Sequence, residues 1–359
     1  MDNMTNIQIG NKLVGTSQPV YVIAEAGVNH NGDFELARKL IDAAHEAGAD
    51  AVKFQTFTPE EMVTDKADQA QYQTENTGIE ESQAAMLNKL TLKPQDYVDL
   101  KAHADSLGIE FLSTPFSIPD ADFLHSLDLA AYKVSSGDLN NIPFLEHLAE
   151  FEKPILLSTG MGTLDEIRES LEALQRKNAD VVLLQCTSEY PTPSNHANLR
   201  VIETLQNTFD VPIGFSDHTE SIETCVYTAS LGAVLVEKHF TLDRTLPGPD
   251  QKTSLEPQEL AAMIKKIHST KRGALNVPED MLGSGEKVPT ADELITKKLV
   301  RKGIAARRDI QKGETLTESN ILIARPEGPI PPKEWQVVLG KHAKQNIPAG
   351  TSLSPEMIT

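Results

Sequence analysis

The sequence predicts an α/β protein, a (β/α)₈ (TIM) barrel followed by a small β-rich domain. Within the first 275 residues, eight short apolar runs alternate with helix-like segments, which is the pattern of a parallel barrel. The runs are continuously apolar, as expected for strands buried on both faces. A doubly wound open sheet fits less well, because no glycine-rich fingerprint follows the first run. The predicted strands are 20–26, 50–56, 109–115, 130–136, 154–160, 181–187, 211–217 and 233–240.

Helical patterns fill the intervals between these runs. Gly48, Gly108 and Gly232 each lie where a helix C-terminus favours a left-handed residue. The connection over 57–94 is long and polar, which is typical of a lid or a binding loop. The predicted helices are 34–48, 94–108, 163–177 and 220–232, with a last barrel helix near 257–274.

The C-terminal part differs from the barrel in composition. Residues 276–293 are rich in Pro, Gly and charge, which indicates an interdomain linker. Beyond it, 308–321 and 345–358 share the pattern x-x-I-x-x-G-x-x-L-x-x-x-x-I, which predicts a pseudo-symmetric β-rich domain with a tight turn at each Gly. The predicted division is a barrel over 1–275, a linker over 276–299 and a tail domain over 300–359.

Charge and cysteine content exclude several classes of protein. The 52 acidic and 33 basic residues give a net charge of −19, which argues against nucleic acid as the main partner. The tail domain differs, with nine basic and six acidic residues. No apolar run is long enough for a membrane span, and the start MDNMTNIQIG does not resemble a signal peptide. Cys186 and Cys225 lie in apolar stretches and predict no disulfide, so we expect a cytoplasmic protein without a membrane partner.

Polar residues at the C-terminal ends of the strands are the candidate active site of such a barrel. Lys53 and Lys133 interrupt apolar strands, and burying an ammonium group without a partner is unfavourable. An anion from the protein or from a ligand must therefore meet them. Since serines lie at neighbouring strand ends, a phosphate-bearing substrate is predicted. These serines are Ser136, Ser158 and Ser216.

Two histidines end consecutive strands. Because His218 and His239 follow the seventh and eighth runs, their rings can converge. Two imidazoles leave open positions on an octahedral Mn²⁺, Mg²⁺ or Fe²⁺, which favours a catalytic ion over a closed zinc site. A hydrogen-bonded structural role stays open for each histidine.

At these residues the sequence resembles the sialic acid synthases, the family of N-acetylneuraminate and related nonulosonate synthases. The tail resembles the antifreeze-like (SAF) domain of that family, so the resemblance covers nearly the whole chain. The matching stretches are IAEAGVNHNG (23–32), VKFQTF (52–57), FLSTPF (111–116), YKVSSGD (132–138), LSTGMG (157–162), CTSEYPTP (186–193), GFSDHT (214–219), EKHFTLDR (237–244) and PGPDQ (247–251).

The resemblance implies condensation of phosphoenolpyruvate with an N-acylated mannosamine-type sugar, giving a nine-carbon 2-keto acid and phosphate. It implies that His218 and His239 hold a divalent ion, Mn²⁺ first and Mg²⁺ or Co²⁺ as alternatives, which polarises the sugar aldehyde for attack by C3. Glu25 matches the acidic residue of the first motif and is the candidate for proton transfer. The implied phosphoenolpyruvate contacts are Lys53, Lys133, Ser136, Ser158 and Ser216. The implied sugar contacts are Gln55, Asn76, Asp138, Tyr190, Glu237 and Asp250.

In the tail, Arg325 matches the family's arginine that reaches into the partner subunit's site and holds the N-acyl group of the sugar. A domain-swapped homodimer is therefore implied. Synthases for N-acetylmannosamine often carry Glu where this chain has Asp138, and Asn where it has Ser188. A shorter carboxylate could leave room for an acetamido group at C4, and the substrate would then be 2,4-diacetamido-2,4,6-trideoxymannose, giving legionaminic acid. Both sugars stay open.

Two other hypotheses about the function remain. A deoxyoctulosonate or deoxyheptulosonate phosphate synthase performs the same phosphoenolpyruvate chemistry, but it needs a second phosphate site and lacks the tail. A non-catalytic carbohydrate- or ice-binding protein would leave the lysines and histidines at the strand ends without a purpose.

Overall fold

Eight parallel strands form a barrel in the computed structural model, which describes residues 6–359. The first five residues of the segment MDNMTNIQIG lie outside the described part of the chain. An antiparallel hairpin, β1 and β2, precedes the barrel. The strands up to the end of the barrel are β1 Ile7–Ile9, β2 Lys12–Val14, β3 Tyr21–Gly27, β4 Ala51–Thr56, β5 Glu110–Pro115, β6 Tyr132–Val134, β7 Ile155–Ser158, β8 Val181–Cys186, β9 Ile213–Asp217 and β10 Leu235–His239.

The barrel sheet has the order β5-β4-β3-β10-β9-β8-β7-β6, with parallel pairing throughout. Its two end strands, β5 and β6, lie side by side, which closes the barrel. Each of the eight predicted apolar runs coincides with one of these strands, although β3 extends one residue beyond its run, so the predicted barrel is confirmed.

The helices cover the outside of the barrel. Those in the barrel region are α1 Phe34–Glu46, α2 Pro59–Met62, α3 Gln71–Thr77, α4 Gln83–Asn88, α5 Pro94–Leu107, α6 Ile118–Ser126, α7 Ile142–Ala149, α8 Leu164–Gln175, α9 Val201–Thr208, α10 Glu223–Ser230 and α11 Pro257–Ser269. The five predicted helices correspond to α1, α5, α8, α10 and α11. Six helices of this region were not predicted. The helices α2, α3 and α4 lie in the polar connection after β4, and α6, α7 and α9 have only eight or nine residues, too few for a clear 3.6-residue period.

Two layers of apolar side chains make the barrel. Outward-facing strand residues such as Val52 and Phe54 pack against the helices, while inward-facing residues such as Ile23 and Leu156 fill the N-terminal half of the interior. The β1–β2 hairpin covers that end with Ile7, Ile9 and Val14. Consequently only the C-terminal end of the barrel is left for polar chemistry.

The long connection after β4 is ordered as three short helices, α2, α3 and α4. We call residues 57–93 the lid segment. It has a small apolar cluster of its own that includes Met62, Met86 and Leu90, and Phe116 of the barrel joins that cluster. Apolar contacts therefore hold the lid segment over the C-terminal end of the barrel.

The segment predicted as a linker contains α12 Glu279–Leu282 and all but the last residue of α13 Ala291–Val300. The tail that follows contains β11 Gly303–Ala306, β12 Ile321–Ala324 and the short helix α14 Trp335–Val338. The two copies of its repeated pattern pair with each other, since Ile310 and Ile347 form an antiparallel β-bridge. The repeated Ile and Leu positions are buried, and the two glycines, Gly313 and Gly350, adopt positive φ angles of 86° and 70°. None of the helices described over 6–359 combines the length and hydropathy that a membrane span requires.

Candidate active site

One cavity opens at the C-terminal ends of the barrel strands, and all eight strands or the loops that follow them contribute to its wall. The lid segment and the tail cover it from above. Most of the site residues predicted from the sequence line this cavity. They are Glu25, Lys53, Gln55, Lys133, Ser136, Ser158, Tyr190, Ser216, His218, Glu237, His239, Asp250 and Arg325.

Two lysines and two glutamates form a buried charge network at the base of the cavity. Lys53 Nζ lies 2.7 Å from Glu25 Oε2 and 3.6 Å from Glu237 Oε2. Lys133 Nζ lies 3.7 Å from Glu237 Oε1 and donates to Ser158 Oγ at 2.7 Å. The carboxyl groups of Glu25 and Glu237 are therefore the protein's own acidic partners for the two buried lysines.

The same network gives the two carboxyl groups different acidities. Burial raises the pKa of Glu25 to about 7, although the Lys53 ammonium opposes this shift. Burial also disfavours the Glu237 carboxylate, but Lys133 and Lys53 outweigh it and lower the pKa of Glu237 to about 2. Two neighbouring carboxyl groups with separated pKa values are typical of an acid–base site, in which Glu25 is the group that exchanges a proton near neutral pH.

Serines surround the lysines. Ser136 Oγ accepts from Gly160 N at 3.0 Å, and Ser216 Oγ donates to Glu237 Oε1 at 2.9 Å. Ser158 accepts a hydrogen bond from Lys133, so the three serines place hydroxyl groups near the ammonium groups of Lys53 and Lys133. Such a set can bind a phosphate or a carboxylate.

The histidine rings of His218 and His239 lie next to each other, with centroids 5.3 Å apart. His218 Nδ1 lies 3.0 Å from the carbonyl oxygen of Thr187, which fixes a proton on Nδ1 and leaves Nε2 free to bind. His239 Nδ1 is buried and has no hydrogen-bond partner among the described residues. Two imidazoles, one with an orphaned buried nitrogen, fit a divalent ion that keeps open coordination positions.

A second group of possible metal ligands lies outside the cavity. Glu189, His196 and Asp292 are close enough to share an ion, and residues 6–359 contain no other such group of three. His196 Nδ1 already lies 2.9 Å from Glu189 Oε2, so a hydrogen bond accounts for this contact.

Aromatic rings form one side of the cavity. Tyr190 lies 4.3 Å from His218 between ring centroids and stacks on Tyr72 of α3 at 4.9 Å. Asp250 is buried nearby, and burial raises the pKa of its carboxyl group to about 6. Its Oδ1 has no hydrogen-bond partner within 6–359 and is available to a ligand.

Two predicted sugar contacts lie outside the cavity wall. Asn76 Nδ2 donates to the Pro249 carbonyl oxygen at 2.6 Å and thereby ties α3 to the loop that carries Asp250. Asp138 is fully buried and pairs with Lys302, with Oδ1 at 2.8 Å from Nζ. Both residues support the wall of the cavity without forming it.

Arg325 lies in the cavity of its own barrel in the single chain. Its backbone pairs with the lid segment, because Arg325 N donates to Met62 O at 3.0 Å and Thr64 N donates to Arg325 O at 2.9 Å. Its guanidinium lies 5.4 Å from the centre of the Phe116 ring. The resemblance implied that this arginine enters the site of a partner subunit. In the single chain it lies in the site of its own barrel.

Sequence reasoning missed several cavity residues. Cys186 ends β8, and its Sγ lies 3.7 Å from His218 Nδ1, but its apolar neighbours in sequence indicated only a core position. Tyr72 lies in a polar connection, and nothing in the sequence there indicated that it would line the cavity. Thr296 and Val300 of α13 also line the cavity, although the sequence predicted a linker up to residue 299 and the tail domain from residue 300.

Comparison with known proteins identifies the family to which the chain belongs. The model of the NeuB family matches residues 40–276, and that of the SAF domain matches residues 301–359. The chain is 40% identical over 354 residues to the N,N'-diacetyllegionaminic acid synthase of Legionella pneumophila, covering 97% of each protein. It is 42% identical over 328 residues to the enzyme of the same name from Campylobacter jejuni, covering 90% of this chain and 96% of the relative.

A solved structure shares the whole architecture. The spore coat polysaccharide biosynthesis protein SpsE of Bacillus subtilis superposes with a TM-score of 0.86 at 33% identity, covering 99% of each chain. The resemblance found in the sequence is therefore confirmed. The chain belongs to the NeuB family, the sialic acid synthase family of the sequence analysis, and it carries a C-terminal SAF domain.

Proposed function

We propose that this protein is a nonulosonate synthase, which condenses phosphoenolpyruvate with an N-acylated amino sugar and releases phosphate. The observation that carries the proposal is the cavity in which the Lys53–Glu25–Glu237–Lys133 network lies beside the His218–His239 pair. The names of the relatives, two N,N'-diacetyllegionaminic acid synthases, support the same reaction class.

Phosphoenolpyruvate binds at the base of the cavity. Its phosphate and carboxylate meet Lys53 and Lys133, with hydroxyl groups from Ser136, Ser158 and Ser216. Binding an anion beside Glu25 favours the protonated form of that carboxyl group, whose pKa already lies near 7. Glu25 therefore holds a proton on its carboxyl group once the substrate is bound.

The reaction forms one carbon–carbon bond and breaks one carbon–oxygen bond. C3 of phosphoenolpyruvate attacks the aldehyde carbon of the open-chain sugar, water adds at C2, and phosphate leaves as the C2–O bond breaks. Glu25, our candidate for proton transfer, donates its proton to the aldehyde oxygen as the carbon–carbon bond forms, and the resulting carboxylate accepts a proton from the water that adds at C2. Gln55, Tyr190, Glu237 and Asp250 orient the sugar above phosphoenolpyruvate.

His218 and His239 would hold a divalent ion, with Mn²⁺ as the first candidate and Mg²⁺ or Co²⁺ as alternatives. The orphaned Nδ1 of His239 supports this assignment. When bound, the ion supplies polarisation of the sugar carbonyl group.

We favour 2,4-diacetamido-2,4,6-trideoxymannose as the sugar, with N-acetylmannosamine as the second candidate. Relatives that are 40% and 42% identical carry the name N,N'-diacetyllegionaminic acid synthase, which supports the diacetamido sugar. The Asp138 and Ser188 departures agree with it. Asn76 and Asp138 contribute through the cavity wall that they support.

A homodimer with exchanged tails completes the proposal. Residues 271–276, which join the barrel to the tail region, are all exposed and offer a place where the chain can cross to a second copy. Val288, Leu294 and Ile295 are 57%, 50% and 62% exposed and give the following segment an apolar surface that fits a second copy. Cys186 and Cys225 are free thiols, which supports the reducing cytoplasm as the compartment.

A phosphate-release assay with phosphoenolpyruvate and three sugars tests the function. We expect the highest kcat/KM with the diacetamido sugar, a lower value with N-acetylmannosamine and none with arabinose 5-phosphate. The 2-keto acid product is confirmed by mass. Turnover of arabinose 5-phosphate alone would assign the protein to the deoxyoctulosonate phosphate synthases instead.

A further inference from the structure

Glu293 joins the segment predicted as a linker to the barrel. It lies in the first turn of α13, and its side chain is buried, with 3% of the residue exposed. Its Oε1 accepts from Met161 N at 2.7 Å and from Ser188 N at 2.8 Å, and its Oε2 accepts from Thr290 N at 3.1 Å. One carboxylate therefore caps its own helix and binds two separate barrel loops.

Both loops belong to the active-site wall. Met161 follows β7 and Ser188 follows β8, and both residues line the cavity, whereas Glu293 does not. Met161 has a φ of 57°, a left-handed conformation that a residue with a side chain adopts only when its surroundings hold it there. The hydrogen bond to Glu293 is a contact that holds it.

Tight packing links the backbone of Met161 and Ser188 to Ser136 at the base of the cavity. A Cβ added to Gly160, which precedes Met161, would collide with both Ser188 Oγ and Ser136 Oγ. Gly160 N also donates to Ser136 Oγ at 3.0 Å. Since interiors packed this closely leave little slack, a shift of the Met161 or Ser188 backbone displaces Ser136.

We propose that Glu293 is a positioning residue for the condensation, which sets the phosphoenolpyruvate site from outside the cavity by holding the loops after β7 and β8. The proposal rests on the proposed function. It also links the tail to the site, because α13 supplies Thr296 and Val300 to the cavity wall and continues into the tail. Without the carboxylate, two buried N–H groups lose their acceptor, and the loops relax to find another.

Two variants of this residue test the proposal. Glu293→Ala removes the acceptor, whereas Glu293→Gln keeps a side-chain oxygen that can accept from Met161 and Ser188. For Glu293→Ala we expect KM for phosphoenolpyruvate to rise about tenfold, with kcat changed less than about threefold, because no contact with reacting atoms is lost. Glu293→Gln restores KM to within about threefold of the parent. Glu286→Gln, at an exposed position of the same segment, is the matched control and keeps the parent values.

Amide hydrogen exchange gives a readout that does not depend on activity. The Met161 and Ser188 amides exchange faster in Glu293→Ala than in the parent, and Glu293→Gln restores their protection. If Glu293→Ala fails to fold, Glu293→Asp, with a carboxylate withdrawn by one methylene, takes its place in both measurements.

An unchanged KM in the folded fraction of the variant would overturn the proposal, as would unchanged exchange at the two amides. Failure of the proposed function gives a different result. In that case the parent releases no phosphate with any sugar, while the exchange of the Met161 and Ser188 amides still responds to the substitution.

Discussion

Glu25 and Lys53 are register partners on adjacent strands, β3 and β4, and their side chains meet inside the barrel with Oε2 and Nζ 2.7 Å apart. The parallel register places the two Cα atoms side by side, and the inward orientation of both residues buries the pair. The ion pair does not keep Glu25 ionised, because burial outweighs it and brings the pKa of this carboxyl group to about 7. Lys53 thus holds in place a group that can both donate and accept a proton at neutral pH.

Glu25→Gln keeps the shape and the hydrogen-bonding reach of the side chain but removes the exchangeable proton. We expect kcat to fall by about 10²- to 10⁴-fold, the usual contribution of a general acid–base group, with a small change in KM. Steady-state kinetics with both substrates measure this effect. Glu60→Gln, at an exposed position of the lid segment, is the control. A kcat within a factor of about two of the parent would remove Glu25 from the proton transfer.

Metal dependence follows from the His218–His239 pair. A chelator is expected to abolish turnover, and added Mn²⁺ to restore it. His239→Ala loses Mn²⁺ binding, measured by calorimetry, while circular dichroism shows an intact fold. His196→Ala, in the outer group with Glu189, separates the two candidate sites and keeps the catalytic ion. Full activity of the metal-free protein would contradict the assignment.

His30 makes stability depend on pH. Burial lowers its pKa from 6.5 to about 4, although Asp33 opposes this shift. At pH 7 the ring is neutral in both states, but between about 6.5 and 4 the unfolded chain binds a proton that the folded chain does not. The free energy of unfolding therefore falls as the pH drops through this window, by about 3 kcal/mol in all.

Urea denaturation of the parent and of His30→Asn at a series of pH values tests this effect. The Asn side chain can accept from Gly32 N as His30 Nδ1 does at 3.0 Å, but it does not titrate. The loss of stability between pH 6.5 and 4 is smaller in His30→Asn by about 3 kcal/mol. His45→Asn, at an exposed position, keeps the parent slope. Parallel curves for the parent and His30→Asn would refute the assignment.

Local patterns in the sequence predicted the architecture because the spacing of apolar residues within a segment indicates which residues of that segment are buried. The repeated Ile and Leu positions of the tail show this clearly, since Ile310 and Ile347 lie in register and both are buried. Strand lysines were harder to interpret. Lys53 faces into the barrel, whereas Lys238 faces outward and pairs with Asp217 at 2.8 Å, and only the alternation along each strand separates the two.

Contacts between distant parts of the chain could not be read from local pattern. Lys302 binds Asp138 across 164 residues, and Glu293 reaches Met161 across 132. Lys302 and Glu293 look like ordinary surface charges in sequence, because nothing nearby indicates that they will be buried against the barrel. The composition of α13 is that of a linker even though the helix forms part of the cavity wall.

Asp138→Glu tests the choice of sugar. The added methylene extends the carboxylate against Lys302 and shifts the wall of the cavity, because both side chains are buried. We expect the ratio of kcat/KM for N-acetylmannosamine to that for the diacetamido sugar to rise about tenfold. Both sugars are measured with both proteins. An unchanged ratio would eliminate Asp138 as the determinant of sugar choice.

The exchange of tails between two subunits is tested by mixing two inactive variants, Arg325→Ala and Glu25→Ala. The family resemblance implies that Arg325 holds the N-acyl group of the sugar, and Glu25 transfers the proton in our proposal, so we expect each substitution alone to disable every site. The two proteins are unfolded, mixed and refolded together to form mixed dimers, and Arg325→Ala refolded alone is the control. If Arg325 serves the barrel of its own chain, each site in the mixed dimer keeps one defect and mixing restores nothing.

If Arg325 serves the partner's barrel, one site in the mixed dimer receives both defects and the other receives none. We expect the second result, because the exposed residues 271–276 offer a crossing point between subunits and the apolar side chains of Val288, Leu294 and Ile295 favour a second copy. Random pairing makes about half of the dimers mixed, and each of these has one intact site. Since one site in four is then intact, the mixture reaches about a quarter of the parent activity. Activity at the level of the refolded control would show that each chain completes its own site.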